Sequence, residues 1–310
     1  MGYRIKQKER VGKAVHRIVR EQLRSAIRVA RDKKLDQEER VHEVRTRLKR
    51  SRAALALIRR QAGQGAARDD RRLRDAGRLL ARPRDLAVQA HTFRVLGTRL
   101  QSELPPRLLA RLAAAERQIR RELEPDEVER DLKRAARALR RLRRELSGWG
   151  VGKGRRAIGK SLTRTYRGGL VSLEAARERP SPERFHHWRK KVKALAYELR
   201  LIAAAVPELT TTMMPKIDRL GEILGQIHDL DCVKATAELN PRWFGRAADG
   251  EAVLAAVDDR RAELEHEALR LAGSVFAGRA RDVRALVETG WKLWREGPEP
   301  DATGDEAQAG

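Results

Sequence analysis

The chain has 310 residues, of which 69 are Lys or Arg and 44 are Asp or Glu, so its formal net charge at pH 7 is +25. Of the basic residues, 54 are arginine, whose planar guanidinium binds phosphate groups in a bidentate way. A hydrophobic fraction of 41% is enough for one or two cores and excludes a disordered basic tail. The single cysteine, Cys232, excludes a disulfide scaffold and a cysteine-based zinc module. Only 4% of the residues are aromatic, which argues against a protein that stacks on single-stranded bases.

No targeting or membrane signal is visible in the sequence. The first residues lack the apolar segment of a signal peptide, and the longest apolar stretch, residues 201–206, is far too short to span a bilayer. These features predict a soluble cytoplasmic protein.

In chain order, the pattern is helical nearly throughout, because Ala, Leu, Arg and Glu dominate and alternating β-branched residues are absent. One clear helix is predicted from Asp36 to Gln61, with Glu39 completing a capping box and Gly63 ending the helix. Ten to twelve helices are predicted, several of them opening near a proline: Pro83, Pro105, Pro106, Pro125, Pro182 and Pro215.

Longer connections are predicted at residues 147–154 and 240–250. Residues 297–310 contain four acidic residues and no Lys or Arg, so we expect a disordered acidic tail there.

An internal repeat divides the chain. His42-x-x-Arg45-x-x-x-Lys49 recurs as His186-x-x-Arg189-x-x-x-Lys193, a lag of 144 residues. The same lag aligns further pairs without a gap: Arg20 with Arg164, Gly77 with Gly221, Leu80 with Leu224, Asp85 with Asp229, Leu86 with Leu230 and Val88 with Cys232. This predicts two homologous all-α halves, at about residues 8–146 and 154–295.

The repeated motif places an imidazole and several cations on one helix face. Offsets of 0, 3, 7 and 10 fall within an arc of roughly 80°. Like charges at these spacings repel one another and destabilise the helix, and an anion bound along this face would offset that repulsion. We call this row of side chains a ladder. The alternative is a solvated basic face in an arginine-rich protein, which is the simpler interpretation of Arg47, Arg50, Arg59, Arg60 and the run at 140–144.

A second repeated element is Arg84-Asp85-Leu86 and its counterpart His228-Asp229-Leu230. We expect both aspartates to be first-turn carboxylates that complement a helix dipole. A His-Asp dipeptide in an all-α chain also suggests a metal phosphohydrolase, but Arg84 replaces the histidine in the first half and cannot bind a metal. No other catalytic motif is present, and no cofactor is expected.

These residues resemble the CHAD family, the conserved histidine α-helical domain. The likeness is carried by residues 41–52, 185–193 and 220–231, and it extends over about residues 8–295. It implies two helical bundles related by pseudo-twofold symmetry around a basic groove or pore that binds inorganic polyphosphate, without catalysis and in association with polyphosphate granules. The polyphosphate ligands it implies are His42, Arg45, Lys49, Arg50, Arg52, His186, Arg189, Lys190, Lys193, Arg20 and Arg164, with Arg84 and His228 near the edge of the groove.

This sequence departs from the family pattern at Ser51, where leucine is usual. Ala194 and Ala196 also stand opposite Arg50 and Arg52, which shortens the second ladder. The leading hypothesis is a polyphosphate-binding protein that is not an enzyme. A basic helical protein that binds nucleic acid is the main alternative, since net charge supports it equally well, although no recognition-helix motif is present. An enzyme that hydrolyses phosphoanhydrides is the third.

Overall fold

The computed structural model describes residues 3–102, 104–146, 148–151 and 154–298, and within these residues the chain is all-α, as predicted. Two short 3-10 helices, Ala203–Ala205 and Pro241–Phe244, flank the eighth α-helix. The α-helices in chain order are α1 Val11–Val29, α2 Gln37–Arg78, α3 Ala81–Arg99, α4 Pro106–Arg121, α5 Pro125–Glu145, α6 Gly154–Glu178, α7 Pro182–Ile202, α8 Pro207–Leu239, α9 Ala247–Val275 and α10 Ala280–Glu296.

Local sequence signals position several helix starts. The Asp36 carboxylate accepts a hydrogen bond from the backbone N–H of Glu39 at 2.8 Å, and the Ser181 hydroxyl accepts one from Arg184 at 3.3 Å. These bonds satisfy N–H groups that have no partner inside the helix. Pro106, Pro125 and Pro182 each occupy the first helical position, where a missing N–H costs nothing.

Two predicted boundaries are wrong. Pro215 lies inside α8, whose start is at Pro207 instead. An interior proline leaves one carbonyl without its helical partner, and here the proline faces solvent, where water can satisfy that carbonyl. The predicted connection at 240–250 is shorter than expected, because a 3-10 helix occupies residues 241–244 and α9 begins at Ala247.

Gly63 ends the first helical segment of α2, as the sequence predicted. Its backbone adopts φ 61° and ψ −145°, a conformation that favours glycine, and the chain then resumes as helix to Arg78. At the lag of 144 residues Gly63 corresponds to Pro207, the first residue of α8. The first half therefore kinks at the point where the second half separates α7 from α8.

The core is formed by the apolar faces of the packed helices. In the first half, α1 and α5 pack on α2, and α4 packs on α3. In the second half, α7 packs between α6 and α8, while α10 packs on α6 and α9 packs on α8. Trp188 and Tyr166 are buried in this core, and Trp291 packs against Trp294 at 5.2 Å between ring centroids.

The two halves meet through a few elements. Helix α2 contacts α6 and α7, and α3 contacts α8. The segment before α1 also crosses between halves, since the Ile5 backbone N–H donates to the Leu201 carbonyl at 2.9 Å. These contacts bring the repeated motifs of α2 and α7 next to each other.

Two predictions depend on residues outside the described ranges. The connection at 147–154 is described only at residues 148–151 and 154, and residues 299–310 of the predicted acidic tail lie beyond the described chain. Among the helices that are described, none combines the length and apolar character needed to cross a membrane.

Candidate anion-binding site

The α2 ladder lies where the two halves meet. Arg45 is anchored by a hydrogen bond from Nη1 to the Gly77 carbonyl, at 2.9 Å, near the far end of the same kinked helix. Lys49 is exposed to solvent, yet its pKa is lowered to about 8, because the surrounding protein desolvates the ammonium and Arg189, Arg45, Arg84 and Lys193 repel it.

The α7 ladder lies over two glycines of α8. A Cβ atom added at Gly221 would lie 3.1 Å from Lys193 Nζ, and one added at Gly225 would lie 3.7 Å from Arg189 Nε. The absence of a side chain at Gly221 lets Lys193 lie close to the helix, whereas an added Cβ at Gly225, one helical turn along, would make only an ordinary contact with Arg189. Burial and the charge of Arg189 lower the pKa of Lys193.

Charged groups of the two halves act on one another across the interface. Lys49 is repelled by both Arg189 and Lys193 of the other half. Arg84 of α3 is attracted by Asp229 of α8. We name His42, Arg45, Lys49, Arg84, His186, Arg189, Lys190, Lys193 and His228 the basic cluster.

The histidines of the basic cluster are arranged unequally. The rings of His186 and His228 stack with their centroids 4.2 Å apart and an interplanar angle of 36°. Burial, followed by the neighbouring His186 and Arg189, lowers the pKa of His228 to about 4. His42 has Arg84 beside it instead of a second imidazole, and its pKa is also lowered, first by burial and then by Arg84. Neutral imidazoles therefore dominate in the free protein at pH 7.

Two carboxylates lie within reach of these cations. Asp85 interacts with Arg45, Arg84 and Lys49, and Asp229 interacts with Arg189, Arg84 and Lys49. Desolvation raises the pKa of both carboxyl groups despite the surrounding positive charge. The expected first-turn position is wrong for both carboxylates: Asp229 lies in the middle of α8, and Asp85, the fifth residue of α3, lies just beyond the first turn.

The remaining predicted ligands have other neighbours. Arg52 forms an ion pair with Asp70 at 2.8 Å. Arg20 lies on the outer face of α1 in a recess with Arg17 and Arg24, and Arg164 lies beside Arg59 and Arg60.

Arg50 lies at one end of the α2 ladder. Its guanidinium lies over the Tyr3 ring, with Cζ 5.8 Å from the ring centroid, while the Tyr3 hydroxyl donates to the Arg50 carbonyl at 3.0 Å. Tyr197 packs edge-on against Tyr3, with centroids 6.4 Å apart, and lies within the field of Arg50, Arg200 and Arg189.

Sequence reasoning missed the roles of Asp85, Asp229, Gly221 and Gly225 at this site. Asp85, Asp229 and Gly221 belong to the repeat, and that regularity was the available signal, but the side chains they interact with lie on other helices. Among the described residues, no three His, Cys, Asp or Glu side chains are grouped as a metal site would need.

Comparison with known proteins agrees with this architecture. A family model described as "CHAD domain" matches residues 14–238. The crystal structure of the CHAD domain from the plant Ricinus communis is similar over 96% of this chain and 96% of that one, with a TM-score of 0.53 and 17% sequence identity. At this identity the likeness shows a shared fold. No curated protein sequence matches the chain significantly.

Proposed function

This chain belongs to the CHAD domain family, and on that premise we propose that it binds inorganic polyphosphate through the basic cluster and catalyses no reaction on it. The observation that supports the proposal best is Lys49. Its ammonium is held among four like charges from both halves, where its pKa falls to about 8. Such an arrangement is unfavourable in the free protein and becomes favourable when a polyanion neutralises it.

The cations of the basic cluster are available to a ligand. Lys49, Arg84, Arg189 and Lys193 form no ion pair within 4 Å with a described residue, whereas many other arginines of the described chain do, among them Arg17 with Glu9 and Arg261 with Asp231. Polyphosphate carries closely spaced charges without bases or sugars, which suits a site made of guanidinium and ammonium groups with few aromatic rings.

The test is a variant with Arg45, Lys49, Arg189 and Lys193 all replaced by Ala. Truncating charged hydrogen-bonding groups costs about 1.5 kcal/mol or more for each group, so we expect at least about 100-fold weaker binding of long-chain polyphosphate. The matched control replaces the exposed Arg117, Arg121, Arg137 and Arg144 of α4 and α5 with Ala, which lowers the net charge equally. Equal loss in both variants would mean that only the general field of the protein matters, and the proposal would fail.

The alternative ligand and the enzymatic alternative are tested in the same assay. An oligonucleotide should displace bound polyphosphate poorly, and efficient displacement would favour nucleic acid as the ligand. Phosphate release on incubation with polyphosphate and a divalent metal would overturn the non-enzymatic part of the proposal. We also propose a cytoplasmic location at polyphosphate granules, from which the fourfold variant, but not its control, should be lost in fluorescence images.

A further inference from the structure

One carboxylate from each half lies inside the basic cluster. Asp85 follows Arg84 on α3, and Asp229 follows His228 on α8, at the same lag of 144 residues. Asp85 interacts with cations of its own half, while Asp229 interacts with Arg189 of its own half and with Arg84 and Lys49 of the other. A phosphate group that reaches these cations therefore also comes within range of two negative charges.

Neither carboxylate is part of a direct ion pair. Among the described residues, no Lys, Arg or His nitrogen lies within 4 Å of Asp85 or Asp229. Asp231, one position beyond Leu230, shows the contrast, because it binds Arg261 at 2.6 Å. The nearby cations are therefore attracted by Asp85 and Asp229 electrostatically, but no direct ion pair fixes their positions.

The two charges do not support folding. The pKa of each carboxyl group is raised, with burial as the largest cause. A carboxyl group whose pKa is higher in the folded than in the unfolded chain destabilises the fold above that pKa, and this penalty disappears as the pH falls below the unfolded value. At pH 7 the charge of the half-buried Asp229 therefore opposes folding, whereas Asp85 is exposed and its charge has little effect on stability.

We propose that the carboxylates of Asp85 and Asp229 act as internal counter-anions, which lower the affinity of the basic cluster for its ligand and speed ligand release. This inference rests on the proposed function. Each carboxylate lowers the positive potential at the basic cluster and repels an incoming phosphate. This repulsion lowers the affinity, but the same cations still bind the ligand. The opposite possibility is that the carboxylates position the cations for binding. The sign of the effect on affinity separates the two.

The test uses Asp85→Asn, Asp229→Asn and the double variant, since asparagine keeps the shape and removes the charge. Asp258→Asn is the matched control: it changes net charge equally, and Asp258 is an exposed residue paired with Lys234 at 2.6 Å. At low salt we expect about fivefold tighter polyphosphate binding for each single variant, with slower dissociation, and a larger gain for the double variant. Weaker binding, or a change no larger than that of Asp258→Asn, would overturn the inference.

A second readout is independent of polyphosphate. Sulfate, used as a small divalent anion, should raise the melting temperature of the double variant more than that of Asp258→Asn. If the wild-type protein failed to bind polyphosphate but this difference appeared, the proposed function would fall and the role of the carboxylates would stand. If the wild type bound polyphosphate and both readouts matched the control, only the counter-anion role would fall. Unfolding of the aspartate variants at pH 7 would also count against it, because we expect equal or higher stability.

Discussion

At the scale of single residues, Lys49 has the most unusual environment of the ladder. It is exposed, yet desolvation and four cationic neighbours bring its pKa down to about 8, well below the ordinary 10.5. A lysine in this state still carries its charge at pH 7 and loses it within the range that a binding experiment can cover. Arginine at the same place would keep its charge throughout.

Lys49→Arg is therefore expected to change the pH dependence of polyphosphate binding. As the pH rises from 7 to 9, wild-type Lys49 passes through its pKa and loses its charge, so affinity should fall by up to about tenfold. The variant should lose much less, because arginine keeps its charge throughout this range. Fluorescence or calorimetric titration at pH 7, 8 and 9 measures the difference.

The control for this experiment is Lys160→Arg, a lysine-to-arginine change at an exposed position of α6. Its pH profile should match that of the wild type. Parallel profiles for Lys49→Arg and the wild type would show that Lys49 is not a charge partner of the ligand.

At the scale of helices, α8 determines how close the α7 cations can lie to the helix surface. Gly221→Ala would place a methyl group 3.1 Å from Lys193 Nζ, closer than nearly all real Cβ contacts, so the ammonium must shift by a few tenths of an ångström. We expect polyphosphate binding to weaken about two- to fivefold. Stability should not fall, because alanine inside a helix is favoured over glycine by about 0.5–1 kcal/mol.

Gly225→Ala is the control one turn along α8. Its methyl group would meet Arg189 Nε at 3.7 Å, an ordinary van der Waals contact. This variant should gain similar helix stability in thermal unfolding while its affinity stays within about twofold of the wild type. Equal losses of affinity in the two variants would mean that spacing along α8 does not position Lys193.

Helix class and several helix starts follow from local rules, and the sequence predicted them. Asp36 and Glu39 form the expected cap, and three prolines stand at first positions. A failure occurred where tertiary context overrode a local rule. Gly63 breaks the helix as predicted, whereas Pro215 does not start one, because the neighbouring helices stabilise α8 on either side of it.

The two cationic ladders were also predictable, since three- and four-residue spacing on one helix determines which side chains share a face. Their neighbours were not. Whether Arg52 joins the ladder depends on Asp70, and whether Asp229 lies among cations depends on how α8 packs beside α7 and α3. A repeat shows that two positions are equivalent, but it carries no information about which helix lies opposite.

At the scale of the whole molecule, the charge of +25 is unevenly distributed along the chain. Residues 299–310 contain Glu299, Asp301, Asp305 and Glu306 without a single Lys or Arg. The described chain leads into this segment at Pro298, whose carbonyl accepts a hydrogen bond from Gln7 Nε2 at 3.1 Å. Gln7 is four residues from Tyr3, and Tyr3 contacts Arg50 at the end of the α2 ladder.

Neutralising the four acidic residues as Glu299→Gln, Asp301→Asn, Asp305→Asn and Glu306→Gln should strengthen polyphosphate binding at low salt by about two- to tenfold. We expect the segment to compete with the ligand, because covalent attachment raises the effective concentration of its charges. The gain should vanish near 0.5 M salt, because screening then acts over a few ångströms.

The control neutralises four exposed acidic residues elsewhere, Glu178, Glu238, Glu251 and Asp259, and reaches the same net charge. If the control gains as much affinity as the segment variant, the effect belongs to the overall field of the molecule. A gain confined to the segment variant, lost as salt rises, places the competing charge within reach of the α2 ladder.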